Sequence, residues 1–265
     1  MIPIVKVVGY TVFNGPPSEM MPQDEEGFPS EKLILDKKQL NGSAMANVIE
    51  TAGRCCYDSL GQGRPSSEYH QHIKEVGHGS VTEHAVINFY LDNLSRGCTH
   101  ELVRHRAGVA ISQRSTRYVD ESSSSYILHP LFLKYAPSEP SLMESATAAM
   151  TTARTAYTTT VEVLQRRLIA EGVDKFTARK QARGAARGFL GNALCTSMVW
   201  SANIRALRGC IEQRANPAAD AEIRVLYNHI YTAAKMHCPE YFDDYEQVTC
   251  PDGIGFGLVT KYKKI

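Results

Sequence analysis

The sequence predicts an α+β fold, a mainly antiparallel sheet packed with several long helices. Three observations carry this. Helix-period stretches with capping residues dominate the second half of the chain. Short β-branched and aromatic runs, IPIVKVVGYTVF, AVINFYL and NALCTSMVW, are interspersed with them. Neither GxGxxG nor GxxxxGK[ST] occurs, which argues against a Rossmann dinucleotide site and a P-loop.

Residues 2–13 read as an opening strand. Residues 14–40, rich in Pro, Gly and acids, read as an irregular insertion with a short strand at Leu33–Leu35. Ser43 caps a helix over 44–56. After a Gly/Pro loop, Ser67 starts a second helix that ends at Gly77. His78–Gly79–Ser80 is a turn. Ala85–Leu91 is a strand with Ile87, Phe89 and Leu91 on one face. Ser95 caps a helix that runs into Arg104, and Gly108 loosens the chain before an extended or looped 111–118. Glu121–Ser125 is a polar loop and Tyr126–Leu133 is extended.

Ser141 and Glu144 form a capping box that opens a long helix to about Ala170. A helix over about 175–187 and a buried strand at 192–200 follow. Asn203 caps a helix over 204–214. Pro217 sits in the first turn of the next helix, which runs to about 237. Pro239–Val248 reads as a short helix and Gly255–Tyr262 as a strand. The whole, 1–265, reads as one domain, and its long polar-faced helices suit subunit contacts.

The charge balance excludes some partners. Lys plus Arg is 29 and Asp plus Glu 28, so no global basic field exists to coat nucleic acid or bind an anionic membrane. No run approaches the ~18 apolar residues of a membrane span. Seven cysteines, with no CxxC, suit a reduced protein with buried thiols. A cytoplasmic enzyme is the expectation.

Cations are instead concentrated locally. ELVRHRAGVAISQRSTRY, Glu101 to Tyr118, holds Arg104, Arg106, Arg114 and Arg117, with His105 between the first two. Such a cluster is tolerable when spread into solvent or balanced by anions. A second set follows: Arg179, Arg183 and Arg187 share one helical face, and Arg205, Arg208 and Arg214 lie after Asn203. For Arg179 and Arg208 the bland reading, a solvated face or intersubunit ion pairs, carries about half the weight against a role in anion binding. Arg187 and Arg214, at helix ends, can reach into a cleft and grip a phosphate.

Metal and nucleophile readings fare worse. Six of nine histidines fall between 70 and 105, but His100-Glu101 with His105 is one residue too long for HExxH. Five helical residues turn through about 500°, aiming the second ring roughly 140° away from the first. Ser115 has no GxSxG elbow; as a hydrogen-bond donor to a phosphate or carbonyl it needs no adjacent base. Two rival readings are an RNA- or nucleotide-binding module without redox chemistry and a metal-dependent hydrolase using the histidine-rich region.

RHRAGVAISQRSTRY resembles the RHR-then-Ser signature of flavin-dependent thymidylate synthases. GHGSVTEH at 77–84 is similar to that family's upstream segment, and NIRALRGCIEQR at 203–214 with AEIR at 221–224 to its downstream one. The resemblance spans about 44 to 245. It implies a homotetramer with sites formed between subunits. It also implies FAD as cofactor, dUMP as substrate, and NADPH and methylenetetrahydrofolate as co-substrates, with dTMP as product. By position, Arg104, His105 and Arg106 hold flavin, with His78, Ser80, Gln113, Asn203 and Arg205. Glu101, Leu102, Val103 and Arg104 line the dUMP site with Gln113, Arg114, Ser115, Thr116 and Arg117. Arg187 reaches the phosphate from a neighbouring subunit. Arg214 faces the uracil edge and favours its electron-rich form, which makes it the catalytic residue. Three positions depart from the pattern: eight residues rather than seven separate RHR from Ser115, Gly209 stands where His or Asn is usual, and Cys56 replaces a common serine.

Overall fold

In the computed structural model, which describes residues 2–263, most of the expected strands and helices form, in the expected order. The strands are β1 (Ile4–Tyr10), β2 (Val86–Ser95), β3 (Val109–Gln113) and β4 (Cys195–Asn203), with a hairpin of β5 (Glu246–Thr249) and β6 (Phe256–Val259). The helices are α1 (Glu31–Asp36), α2 (Ala44–Cys56), α3 (Ser66–Val76), α4 (Arg96–Leu102), α5 (Pro130–Tyr135), α6 (Pro140–Ala170), α7 (Lys175–Ala186), α8 (Ile204–Arg214) and α9 (Ala221–His237).

The main sheet has the order β1-β2-β4-β3. Its bonds run antiparallel throughout. Asn93 reaches Ile2 while Thr11 pairs with Val86. Arg96 pairs with Leu194 while Ile204 pairs with Ala85, and Arg114 with Ser197 while Asn203 pairs with Gly108. The β2 alternation holds as read: Ile87, Phe89 and Leu91 are fully buried.

The chain divides into two compact units. One comprises Leu91–Arg104 and Ser112–Met198 with the first residues up to Ile4; the other comprises Val5–Tyr90, His105–Ile111 and Val199 onward. In the second unit the core is aromatic: Phe89 stacks on Trp200 at 5.8 Å, and Trp200 meets the edge of Tyr227 at 6.0 Å. In the first unit α6 and α7 pack side by side. Within this chain α6 buries only Tyr157, whose hydroxyl accepts from the Glu121 N–H.

Local rules fix several element ends. Ser43 accepts from Ala46 N–H at the head of α2, Ser95 from Cys98 N–H at α4, and Asn203 from Ala206 N–H at α8, as expected of caps. Gly77 closes α3 in the left-handed region at φ 71°.

Other expectations are corrected. Leu33–Leu35 is not a strand but part of α1, a short helix that buries Ile34 and leaves Leu35 exposed. The third helix starts at Ser66 behind Pro65, and α4 stops at Leu102, short of Arg104. Tyr126–Leu133 is extended only at its start; Pro130, at a first-turn position, opens α5. No Ser141–Glu144 capping box forms, because α6 begins on Pro140 with Glu139 at the cap position, two residues before Ser141. Pro217 precedes α9, which Asp220 caps. Pro239–Val248 holds one 3-10 turn and then β5, whose register is set by pairing Glu246 with Val259 and Thr249 with Phe256. The 192–200 strand is shifted to 195–203, and the tail strand is shortened to β6.

Candidate functional site

In the second unit, His105 and Arg106 follow α4 and lead into β3. Gly108 between them and the strand takes φ +69°, and a Cβ there would come within 2.6 Å of the Asn203 amide. The Asn203 N–H donates to the Gly108 carbonyl at 2.9 Å, so the segment is pinned to the start of α8. Around this junction lies a cavity of about 260 Å³ lined by Glu83, Ala107, Gly108, Asn203, Arg205 and Ala206. Asn203 spends its side-chain oxygen as the α8 cap, and Arg205 pairs with Glu83 at 2.5 Å on the surface.

Arg214, at the last position of α8, donates from Nε to His105 Nε2 at 2.9 Å. Arginine keeps its proton, so Nε2 must be the acceptor and the imidazole neutral with its hydrogen on Nδ1. Burial and then the Arg214 charge push the His105 pKa below its usual value, in agreement with that form. Sequence reading had placed His105 against flavin and Arg214 against uracil; their direct contact, 109 residues apart, left no local signal.

His78 and Ser80 are exposed, Ser80 in the 3-10 segment 79–84 and His78 just before it. His78 also lines a larger cavity of about 580 Å³ with Arg54, Tyr57, Arg64, Tyr69 and His72. Arg54 forms its floor, bonded to Glu50 and to the carbonyls of Ser59, Gln62 and Arg64. Of these wall residues the sequence singled out only His72, as one of the clustered histidines, because no spacing rule links residues 54–72 to His78.

In the first unit the run 113–117 divides into inward and outward groups. Gln113 donates to Thr99 at 2.9 Å, and Arg114 turns onto buried Glu121 at 3.2 Å. Thr116 is buried, and the Ser115 hydroxyl accepts from the Arg117 N–H within a turn. Arg117 itself is exposed. Arg104 and Arg187 are exposed too, and Arg187 follows the last turn of α7. Among the described residues, Arg104, Arg106, Arg117 and Arg187 hold no side-chain hydrogen bond or ion pair. Glu101 and Val103 are half-buried and Leu102 is buried, so the last provides packing.

Arg208 is corrected outright. It is neither on a solvated face nor open to another subunit, but fully buried and bidentate to Asp244 at 2.8 and 2.9 Å. Arg183 is likewise spent, on Asp120 and the Tyr118 carbonyl. A Cβ at Gly209 would meet nothing within 4 Å, so the glycine leaves open space. All seven cysteines are free; four are buried, Cys195 is half-buried, and Cys55 and Cys56 are exposed. His70, from the histidine-rich region, is buried against Tyr241, with Nδ1 2.9 Å from its hydroxyl. Among the described residues no group of three or more His, Cys, Asp or Glu could hold a metal ion, and no helix is long and apolar enough to cross a membrane.

Fold and site together describe an α+β protein with exposed guanidiniums that hold no side-chain bond among the described residues. A family model described as thymidylate synthase complementing protein matches residues 40–240. A flavin-dependent thymidylate synthase of Mycolicibacterium gilvum is 37% identical over 253 residues, 94% of this chain and 92% of its own. That of Mycolicibacterium vanbaalenii is 38% identical with the same coverage, and that of Mycobacterium tuberculosis 36%. A solved structure, a UMP/dUMP methylase PolB from Streptomyces cacaoi bound with 5-Br UMP, shares the fold with a TM-score of 0.57. It is 16% identical and covers 91% of this chain and 92% of its own. The chain belongs to the flavin-dependent thymidylate synthase family.

Proposed function

We propose that the chain makes dTMP from dUMP by reductive methylation, with methylenetetrahydrofolate as carbon donor and NADPH as the source of electrons. FAD, once reduced and bound, supplies the hydride. The observation that carries this reading is the set of guanidiniums without protein partners among the described residues, Arg104, Arg106, Arg117 and Arg187. Exposed arginines without carboxylates suit a phosphate dianion and a pyrophosphate. The chemistry of the residues fits the flavin: Arg205, the Asn203 amide and the glycine-shaped wall at Gly108 surround open space in the second unit.

The roles then divide. Arg104, His105 and Arg106 hold the flavin, with His78, Ser80, Gln113, Asn203 and Arg205 around it. Arg117 and Ser115 hold dUMP, with Gln113 and Arg114 behind them and the backbone of Glu101 to Val103 beside it. Arg187 grips the phosphate from a neighbouring subunit. Arg214 places a fixed cation at the uracil edge, where it stabilises the charge that develops on the ring. Holding ring and cofactor in contact supplies much of the remaining rate. No enzyme nucleophile is required. A cytoplasmic homotetramer is part of this reading. Supporting it, α6 leaves Met143, Val163 and Ile169 exposed, apolar surface that a partner subunit would cover.

The test is direct. Purified protein should be yellow and should release tritium from 5-tritiated dUMP when NADPH and methylenetetrahydrofolate are both present. Protein that takes up no FAD and forms no dTMP would overturn the proposal.

A further inference from the structure

We infer that His105 is a positioning residue that couples the two ligand sites: its Nε2 orients the Arg214 guanidinium, and its Nδ1–H remains as the donor for the flavin. The inference rests on the proposed function and goes beyond it, because His105 and Arg214 were each assigned to a different ligand.

The geometry is specific. The bond runs from Arg214 Nε, not from a terminal Nη, at 2.9 Å. Nε lies at the root of the guanidinium, so a bond there fixes the plane of the whole group. Arg214 is the last residue of α8, and His105 meets it from the segment that leads into β3. His105 Nδ1 has no protein partner among the described residues. A neutral imidazole with hydrogen on Nδ1 therefore accepts on one side and donates on the other.

The charges nearby favour that neutral form. Arg214 faces the ring from α8, and Arg104 and Arg106 flank it along the chain. Arg205 and Glu83, at the neighbouring cavity, cancel one another. Protonating His105 would put hydrogen on Nε2. The acceptor would become a donor, and attraction to Arg214 would turn to repulsion. The Arg214 side chain should then leave its orientation. Because the imidazole pKa is lowered, this happens only on the acid side of the usual histidine range, near ~6.5.

The experiment compares His105→Leu, which removes both nitrogens, with His105→Gln, which keeps an acceptor and a donor but cannot gain a proton. In FAD-loaded enzyme, His105→Leu should cut turnover roughly tenfold to a hundredfold, the worth of a hydrogen bond to a charged group. His105→Gln should recover a large part of that loss, and its pH profile should lack the acid-side fall of the wild type. Independently of flavin, the His105 titration followed by NMR should move to higher pH in Arg214→Gln, because a neighbouring cation is gone. Equal impairment of the Leu and Gln variants, an unchanged acid limb, or an unmoved titration would each overturn the inference. Wild-type protein that binds neither FAD nor dUMP overturns the functional reading instead, while the histidine titration still reports on the pair.

Discussion

Helix α8 carries arginines of two kinds, and their contrast separates structure from function in this molecule. Arg208 points inward. Its terminal nitrogens meet Asp244, the Tyr241 carbonyl and the Tyr262 carbonyl, and its guanidinium lies 4.8 Å from the Tyr245 ring. Arg205, three residues earlier, points outward and meets one exposed carboxylate, Glu83. The same division separates Arg224, buried and bonded to Asp252, from Arg104, Arg106, Arg117 and Arg187. Where an arginine is surrounded by its own chain's oxygens, it is a structural part. Where it stands without them, it faces water and is open to a ligand. An arginine-rich sequence conceals the distinction, because the carboxylates that decide it lie tens of residues away.

The largest effect that would break this contrast is expected at Arg208. Burial alone would make Arg208 easier to deprotonate, but the Asp244 hydrogen bond and charge outweigh it and hold its pKa up. Asp244 would rise through burial, yet bonding to Arg208 brings its pKa down instead. Arg208→Ala leaves Asp244 buried without its counter-charge and should cost about 3–5 kcal/mol in a urea titration. The depressed Asp244 pKa fixes the sign with pH. Its contribution is complete above the ordinary aspartate range, near ~3.9, and is lost as pH falls through the lower folded value. Wild-type stability in Arg208→Ala would show that buried pairing is not what distinguishes this class.

Arg214 belongs to both halves of the contrast, since it is held by His105 yet assigned to substrate. Arg214→Ala should lower turnover by about 10² to 10³, the usual loss when one fixed transition-state donor is removed. FAD affinity should change far less. Parallel loss of turnover and FAD binding would assign Arg214 to the cofactor rather than to uracil.

Much of the fold was legible because its signals are local. Ser43, Ser95 and Asn203 sit where a side-chain oxygen can reach an N–H two or three residues on, and each does so. The β2 alternation and the Gly77 stop are equally local. The errors have a common cause. Leu33–Leu35 and Glu246–Thr249 are short segments whose state depends on what they pack against or pair with, and the partner of β5 begins ten residues downstream. For the site, the ordered motifs picked out Arg104, Arg106 and Arg117, which are exposed and hold no side-chain bond among the described residues. They could not show that Arg114 is spent on Glu121, that Arg208 is buried, or that His105 bonds Arg214. Each of those facts depends on where a distant side chain falls in three dimensions.

The smallest stability effect is expected at Arg205, and it sharpens the comparison most. Arg205 and Glu83 are each about half exposed, at 47% and 48%, so water screens their attraction and the pair restricts two mobile side chains. Arg205→Ala should therefore change stability by less than about 1 kcal/mol. If Arg205 also serves the flavin, the same substitution should weaken FAD binding roughly tenfold, the cost of losing one charge-assisted contact. Glu83→Gln separates the alternatives, because it frees Arg205 without removing it. An arginine that serves only the surface pair predicts unaltered FAD affinity in both variants. One that serves the flavin predicts loss in Arg205→Ala and none in Glu83→Gln. Two residues on one helix, Arg205 and Arg208, would then show opposite profiles, one losing ligand without stability and the other stability first.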